Sequence, residues 1–257
     1  MKHFSTIILL AAALTLTSCF GKYDNYDGPD ATLQGAVTDL DGKPLNVESG
    51  GGIRIKLMEY GYSDNPKEQY LNVKMDGTYI NTKIFSGTYD IVAEGPFVPL
   101  YQVDDKGDVL VDKTEKNVRV KGTTTVNFKV EPFLRVELEG EPRFEKGVMT
   151  VDFNIKRGTL DPAWQLDVYD VGLFVSTTKY VGENNYDSRI CVREEDKGKA
   201  TAMIGKTSSL TTRDTYPMLP GHKYYVRVGA RLDYAFSFGA GRLYNYSDVI
   251  EVVVPKY

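Results

Sequence analysis

Cysteine is almost absent from this chain: two among 257 residues, Cys19 and Cys191. Histidine is as scarce, at two, and tryptophan occurs once, as Trp164. Basic charge shows no excess, with 31 Lys and Arg against 35 Asp and Glu, a net −4. No stretch of useful length repeats its apolar residues with the helical period, and no uncharged apolar run approaches the roughly 20 residues that cross a bilayer as a helix. Each absence excludes something. Without cysteine pairs there is no internal disulfide, so burial of apolar surface must hold the fold. Without a basic surface, nucleic acid is not an expected partner. Without a second histidine beyond the N-terminal region, His222 lacks companions for a triad or a metal site, and no cofactor is expected.

The N-terminus has the three parts of an export signal. Lys2 supplies a positive start, residues 4–16 an apolar stretch, and Thr17 and Ser18 precede Cys19. Leu16-Thr17-Ser18-Cys19 resembles a lipobox, the site at which bacterial lipoproteins are acylated on the cysteine sulfur and cleaved. The competing reading is a plain secreted protein with an incidental cysteine. The lipobox implies a signal peptide at 1–18, lipid on Cys19 as the membrane contact, and a polar tether at 19–31. Two or more acyl chains make such an anchor effectively permanent.

Aromatic and turn residues carry the fold prediction. Eighteen Tyr and eleven Phe favour strands, while 24 Gly and 11 Pro supply turns. The expected class is all-β, two β-sandwiches at 32–131 and 132–257. In the first, 33–38, 53–57, 78–80, 87–93, 117–120 and 124–130 read as strands, with Asp39-Leu40-Asp41-Gly42 as a turn and Asp76-Gly77 as a hairpin. In the second, 148–155 alternates cleanly, 169–176 and 220–230 read as strands, and 246–254 as the last. The segment 179–213 reads as irregular.

Resemblances sharpen this. Gly35-x-Val37 with Asp39, Gly42-x-Pro44-Leu45, Asp76-Gly77-x-Tyr79 and Gly87-x-Tyr89 resemble the carboxypeptidase-regulatory-like domains, which are prealbumin-like sandwiches. Pro220-Gly221 and the strand after it resemble fibronectin type III domains, with Tyr224 at the tyrosine corner, where a hydroxyl bonds back to nearby backbone. Cys19, then Asp24-Asn25-Tyr26-Asp27-x-Pro29, and the closing Tyr246-Ser247-x-Val249 resemble a family of two-domain outer-membrane lipoproteins of unknown function. Their genes typically lie beside SusC/SusD-type glycan-uptake systems. That resemblance implies an outer-membrane, surface-facing position, SusC/SusD-type proteins and polysaccharide as partners, and no catalytic residue to carry over.

Candidate chemistry is sparse. A Cys191–His222 dyad is conceivable, but a lone cysteine usually packs as a small apolar residue. Glu194-Glu195-Asp196 reads as a solvated loop, and Asp39-x-Asp41-Gly42 lacks the rest of a calcium-binding series. Gly198 and Gly205-Lys206-Thr207 have the wrong spacing for a phosphate loop. What remains is aromatic, because ring faces stack on the apolar side of a pyranose. The candidate glycan-binding residues are Trp164, Tyr180, Tyr186, Tyr234, Phe236, Phe238 and Tyr244. The glycine-flanked stretch 234–244 is the strongest, on the argument that such rings have little room to reach a core. The expected function is therefore a non-enzymatic surface lipoprotein that assists polysaccharide capture, its first domain a spacer. The alternative is an adaptor that binds protein partners and never touches sugar.

Overall fold

The computed structural model describes residues 28–256 except 62 and 240. Cys19, the signal peptide and most of the 19–31 tether lie outside the described residues. Among the described residues the fold is all-β apart from one short α-helix and a 3₁₀ turn, as composition implied.

The N-terminal half contains β1 (Ala31–Asp39), β2 (Arg54–Glu59), β3 (Gln69–Asn72), β4 (Thr78–Ile84), β5 (Gly87–Glu94), β6 (Tyr101–Val103), β7 (Val109–Asp112), β8 (Glu115–Val120), β9 (Thr123–Thr125) and β10 (Phe128–Val130). One sheet runs β10-β1-β4, with β9 also on β1, and the other runs β3-β2-β5-β8. β2 shows why they face each other: every second residue, Ile55, Leu57 and Glu59, is buried. Leu33, Val37, Ile55, Leu57, Tyr89 and Ile91 meet in a single core. β6 and β7 form a separate two-stranded ribbon.

The expected strand at 124–130 is broken in two, for a reason visible in the resemblance motif. The Val126 carbonyl leaves the ladder to accept the Tyr79 hydroxyl at 2.6 Å, and Asn127 Oδ1 accepts from the Ala36 amide. A Cβ on Gly35 would lie 1.7 Å from that same carbonyl, so only glycine fits. Asp76-Gly77 does turn, with Gly77 at φ 78° and Lys74 N–H donating to Thr78 O. It joins strands of different sheets, however, and so closes no hairpin between paired neighbours. Asp39 Oδ1 accepts from the amides of Asp41 and Lys43, which makes 39–43 a side-chain-closed turn.

The C-terminal half contains β11 (Leu134–Glu145), β12 (Val148–Arg157), β13 (Val168–Ser176), β14 (Val192–Glu194), α1 (Lys197–Ala202), β15 (Thr207–Thr211), β16 (Lys223–Leu232), β17 (Tyr244–Tyr246) and β18 (Ile250–Val253). Sheet β11-β12-β15 packs on β14-β13-β16, with β17 and β18 both paired to β16. The alternation expected in β12 holds: Met149, Val151, Phe153 and Ile155 are buried, facing Val171, Leu173 and Val228. Lys146 and Gly147 carry φ 48° and 80°, the left-handed pair of a two-residue hairpin between β11 and β12. Leu219 N–H donates to the Tyr224 hydroxyl, the short backward bond that the fibronectin-like reading implied.

Two expectations need correction. The segment 179–213 is ordered, with β14, α1 and β15 inside it. These are too short to print a period; Glu194 ends β14, while Glu195 and Asp196 are exposed in the connection as expected, Asp196 capping α1 by accepting from Lys199 N–H. The strand expected at 246–254 is split where Ser247 takes over, its hydroxyl accepting from Val228 N–H.

The halves meet along a polar seam. Glu48, in the loop between β1 and β2, is buried against the C-terminal half. Its carboxylate accepts from the amides of Glu183 at 2.7 Å and Asn184 at 3.3 Å, and from the Tyr246 hydroxyl. Arg227 lies beside it, Nη1 donating to Val47 O at 3.0 Å and its guanidinium 3.5 Å from the centre of the Tyr246 ring. Asn245 donates to Pro96 O, and Arg135 ion-pairs with Asp39.

Candidate functional site

Phe133 lies just past the N-terminal half, fully buried where the two halves join. Rings from separate segments gather around it. Trp164 stacks at 5.4 Å and 27°, Tyr234 meets its edge at 5.7 Å, and Phe236 lies at 6.2 Å. The series continues outward, Tyr234 to Phe236 at 4.8 Å and Phe236 to Phe238 at 5.8 Å, both edge-to-face. Four sequence candidates are thus brought together, at angles rather than as parallel plates.

Each mounting has a local cause. Trp164 ends the 3₁₀ turn Pro162–Trp164, capped by Asp161, whose side chain accepts from Ala163 N–H. The 234–241 loop is closed on itself by Phe236 N–H donating to Gly241 O, with Gly239 and Gly241 at φ 63° and 77°. Its tip is fixed to the other half: Arg54 lies 4.0 Å from the Phe238 ring centre and 3.8 Å from that of Tyr70, and donates to Glu94 at 2.6 Å.

This arrangement walls a cleft of about 290 Å³. Tyr234, Phe236, Ser237 and Phe238 form one side, with Glu94 and Tyr101 of the N-terminal half on the other. Tyr101 is 48% exposed at the cleft's edge. Burial pushes the Tyr234 phenol above its ordinary pKa, so it stays a neutral hydroxyl at any physiological pH. Apolar ring surface beside a carboxylate and hydroxyls suits a ligand with apolar C–H faces and hydroxyl edges.

The other candidates fall elsewhere. Tyr180 is 53% exposed and borders a different, larger cavity of about 770 Å³. Tyr186 is half-buried, edge-on to Phe174 at 5.7 Å. Tyr244 lies apart from the aromatic cleft: it is buried in β17, its hydroxyl donating to Asp170 at 2.6 Å, and it borders a separate cavity of about 310 Å³. The argument that glycine-flanked rings cannot reach a core fails here, because β17 carries Tyr244 inward and Tyr234 and Phe236 themselves pack partly on the core. Tyr101, Phe133 and Arg54 were missed, since nothing in their flanking sequence distinguishes them from ordinary strand residues.

Cys191 is buried and burial pushes its thiol up to about 12, while its amide neighbour Val175 donates to the sulfur. His222 is exposed in its turn with Nδ1 3.2 Å from Pro220 O. The two form no dyad. Among the described residues no three His, Cys, Asp or Glu side chains are grouped to hold a metal ion, and no helix is long and apolar enough to cross a membrane.

The model of the "Protein of unknown function (DUF3823) N-terminal domain" family matches residues 31–131. A DUF3823 family protein of Bacteroides uniformis, solved by crystallography, is 33% identical, with a TM-score of 0.81 over 88% of this chain and 100% of its own. A second Bacteroides uniformis structure, described as a candidate carbohydrate-binding protein, is 23% identical with a TM-score of 0.67 over the same shares. A DUF3823 family protein of Parabacteroides merdae is 23% identical with a TM-score of 0.61, covering 88% of this chain and 100% of its own. At these last two identities the likeness is one of fold. No curated protein matches the chain.

Proposed function

The chain belongs to the DUF3823 family, and from that premise we propose that it is a non-enzymatic, lipid-anchored surface protein that binds polysaccharide beside a SusC/SusD-type uptake complex. The observation that carries the reading is the convergence of Tyr101 with Tyr234, Phe236 and Phe238, from two separate segments, on one cleft between the halves, with Trp164 packed against Tyr234 behind it. Rings fixed in place by capping and loop closure lose little freedom on binding, which favours recognition of a weakly adhesive ligand. Two further supports are the lipobox-like Leu16-Thr17-Ser18-Cys19 and the relative described as a candidate carbohydrate-binding protein.

The test is affinity electrophoresis of the chain lacking its first nineteen residues, run through gels containing plant, host and microbial polysaccharides. Retardation by one of them is expected, with Tyr101→Ala weakening it and Tyr101→Ala combined with Phe238→Ala abolishing it. Free migration in every gel would contradict the reading.

One observation favours the adaptor instead. The β6–β7 ribbon exposes Val103 at 48%, Val109 at 54% and Leu110 at 64%, beside Tyr101. Apolar patches of this kind often mark protein contacts. A porin complex that co-purifies with the chain and is lost on Leu110→Asp, without any glycan retardation, would select that reading.

A further inference from the structure

Three cavities follow one another along the seam. The first is the aromatic cleft of about 290 Å³. The second, about 310 Å³, is lined by Glu48, Gly51, Glu183, Asn184, Gly239 and Arg242. The third, about 770 Å³, lies between the 72–76 turn of the N-terminal half and Lys179 and Tyr180 of the other. They adjoin by shared or neighbouring residues. Phe238 lines the first and Gly239 the second; Gly50 lines both the second and the third. Beneath the second junction runs the buried Glu48–Arg227 pair, Glu48 lining one cavity and Arg227 the other.

We propose that these cavities form one groove that holds an internal stretch of a polysaccharide chain, several sugar units long, from Tyr101 and Phe238 at one end to Tyr180 at the other. The inference rests on the glycan-binding reading above and names the form of ligand: a chain rather than a free sugar or a chain end. Ligand sites run from roughly 300 to 1,000 Å³, so the first cavity alone is at the small end and the series far exceeds one sugar. The chemistry along the groove alternates as a polysaccharide requires. Aromatic surface stands at each end, and charged and amide groups stand in the middle, where Glu183 ion-pairs with Arg193 and Arg242 donates to Asp233.

The far platform is built. Tyr180 sits on a loop whose shape is set by Asn185, which donates to Tyr180 O at 3.1 Å and to Thr178 Oγ1 at 2.7 Å. Part of the middle wall is glycine backbone: Gly239 packs so closely on Gly51 that a Cβ on it would lie 2.9 Å from Gly51 O, while a Cβ on Gly50 would meet nothing within 4 Å. Gly50, which lines both the second and the third cavity, puts no side chain at their junction. Arg227, which borders the third cavity, is ion-paired with Glu48 at 3.8 Å, and its Nε and Nη2 have no hydrogen-bond partner among the described residues.

The experiment is calorimetric titration of the chain lacking its first nineteen residues with size ladders, dimer to octamer, of xylan, mannan, arabinan, starch and polygalacturonate. Affinity is expected to rise about tenfold or more from dimer to octamer on one ladder. Tyr180→Ala, and Asn72→Trp as a block in the third cavity, should return the octamer to short-chain affinity while leaving the dimer unchanged. Tyr101→Ala should weaken every length. An affinity that plateaus at the shortest oligomers, or an octamer indifferent to Tyr180→Ala, would overturn the groove while sparing glycan binding. No heat on any ladder would overturn both.

Discussion

Removing the Glu48 carboxylate would take an acceptor from three donors and the counter-charge from one cation at once, the Glu183 amide alone keeping a second acceptor in the Tyr246 hydroxyl. The amides of Glu183 and Asn184, the Tyr246 hydroxyl and the guanidinium of Arg227 all converge on it, and Arg227 is fully buried. Breaking a buried pair from one side costs about 3–5 kcal/mol, because the abandoned charge cannot be rehydrated. Glu48→Ala should therefore lose stability on that scale in urea unfolding, and a loss below about 1 kcal/mol would show the seam to be wet. Asp39 makes a second tie across the halves. Burial works against its charged form, but the Arg135 guanidinium and the amides of Lys43 and Asp41 outweigh it and hold the carboxyl below the usual range. A lowered folded pKa means stability that is present above the unfolded value of about 3.9 and is lost as pH falls through the folded one. The difference in urea midpoint between the native chain and Asp39→Asn should accordingly shrink between about pH 7 and about pH 3. Neither tie was legible beforehand. Asn46-Val47-Glu48-Ser49-Gly50 reads as a polar loop, and no local pattern says that a glutamate 198 residues from Tyr246 will bond to it.

At the scale of elements, legibility followed length and alternation. β2, β5, β12, β13 and β16 each carry a clean period or a dense apolar run, and the structure places them within a few residues of the expected bounds. β11 was passed over because its twelve residues include Gly140 and Pro142 among charges, so its period is broken. Only pairing with β12 through the Lys146-Gly147 turn makes it a strand. The break between β9 and β10 depends on a contact across the sheet, the Tyr79 hydroxyl on Val126 O, with Gly35 leaving room beside it. Gly35→Ala forces backbone rather than a flexible side chain to move, and overpacking of this kind costs typically 1–3 kcal/mol. A loss of about 3 kcal/mol is expected in thermal or urea unfolding, and an unchanged midpoint would mean that β1 and Val126 stand further apart than described.

For the whole molecule, the N-terminal half is more than a spacer. It supplies Glu94 and Tyr101 to the aromatic cleft, Arg54 to hold Phe238, and Glu48 to lock the seam. The all-β class and the aromatic character of the site could be read from composition and from glycine-flanked rings. That the proposed site would lie between the halves could not, since its cleft depends on residues that meet only when both cores are formed and docked. The central claim is that polysaccharide occupies this seam. Hydrogen–deuterium exchange of the soluble chain, with and without the polysaccharide that retards it, measures this most directly. Protection concentrated at residues 94–101, 234–241 and 46–51 is the expected result. Protection confined to β6–β7 or to the outer faces of the sheets, with the seam unchanged, would contradict the account.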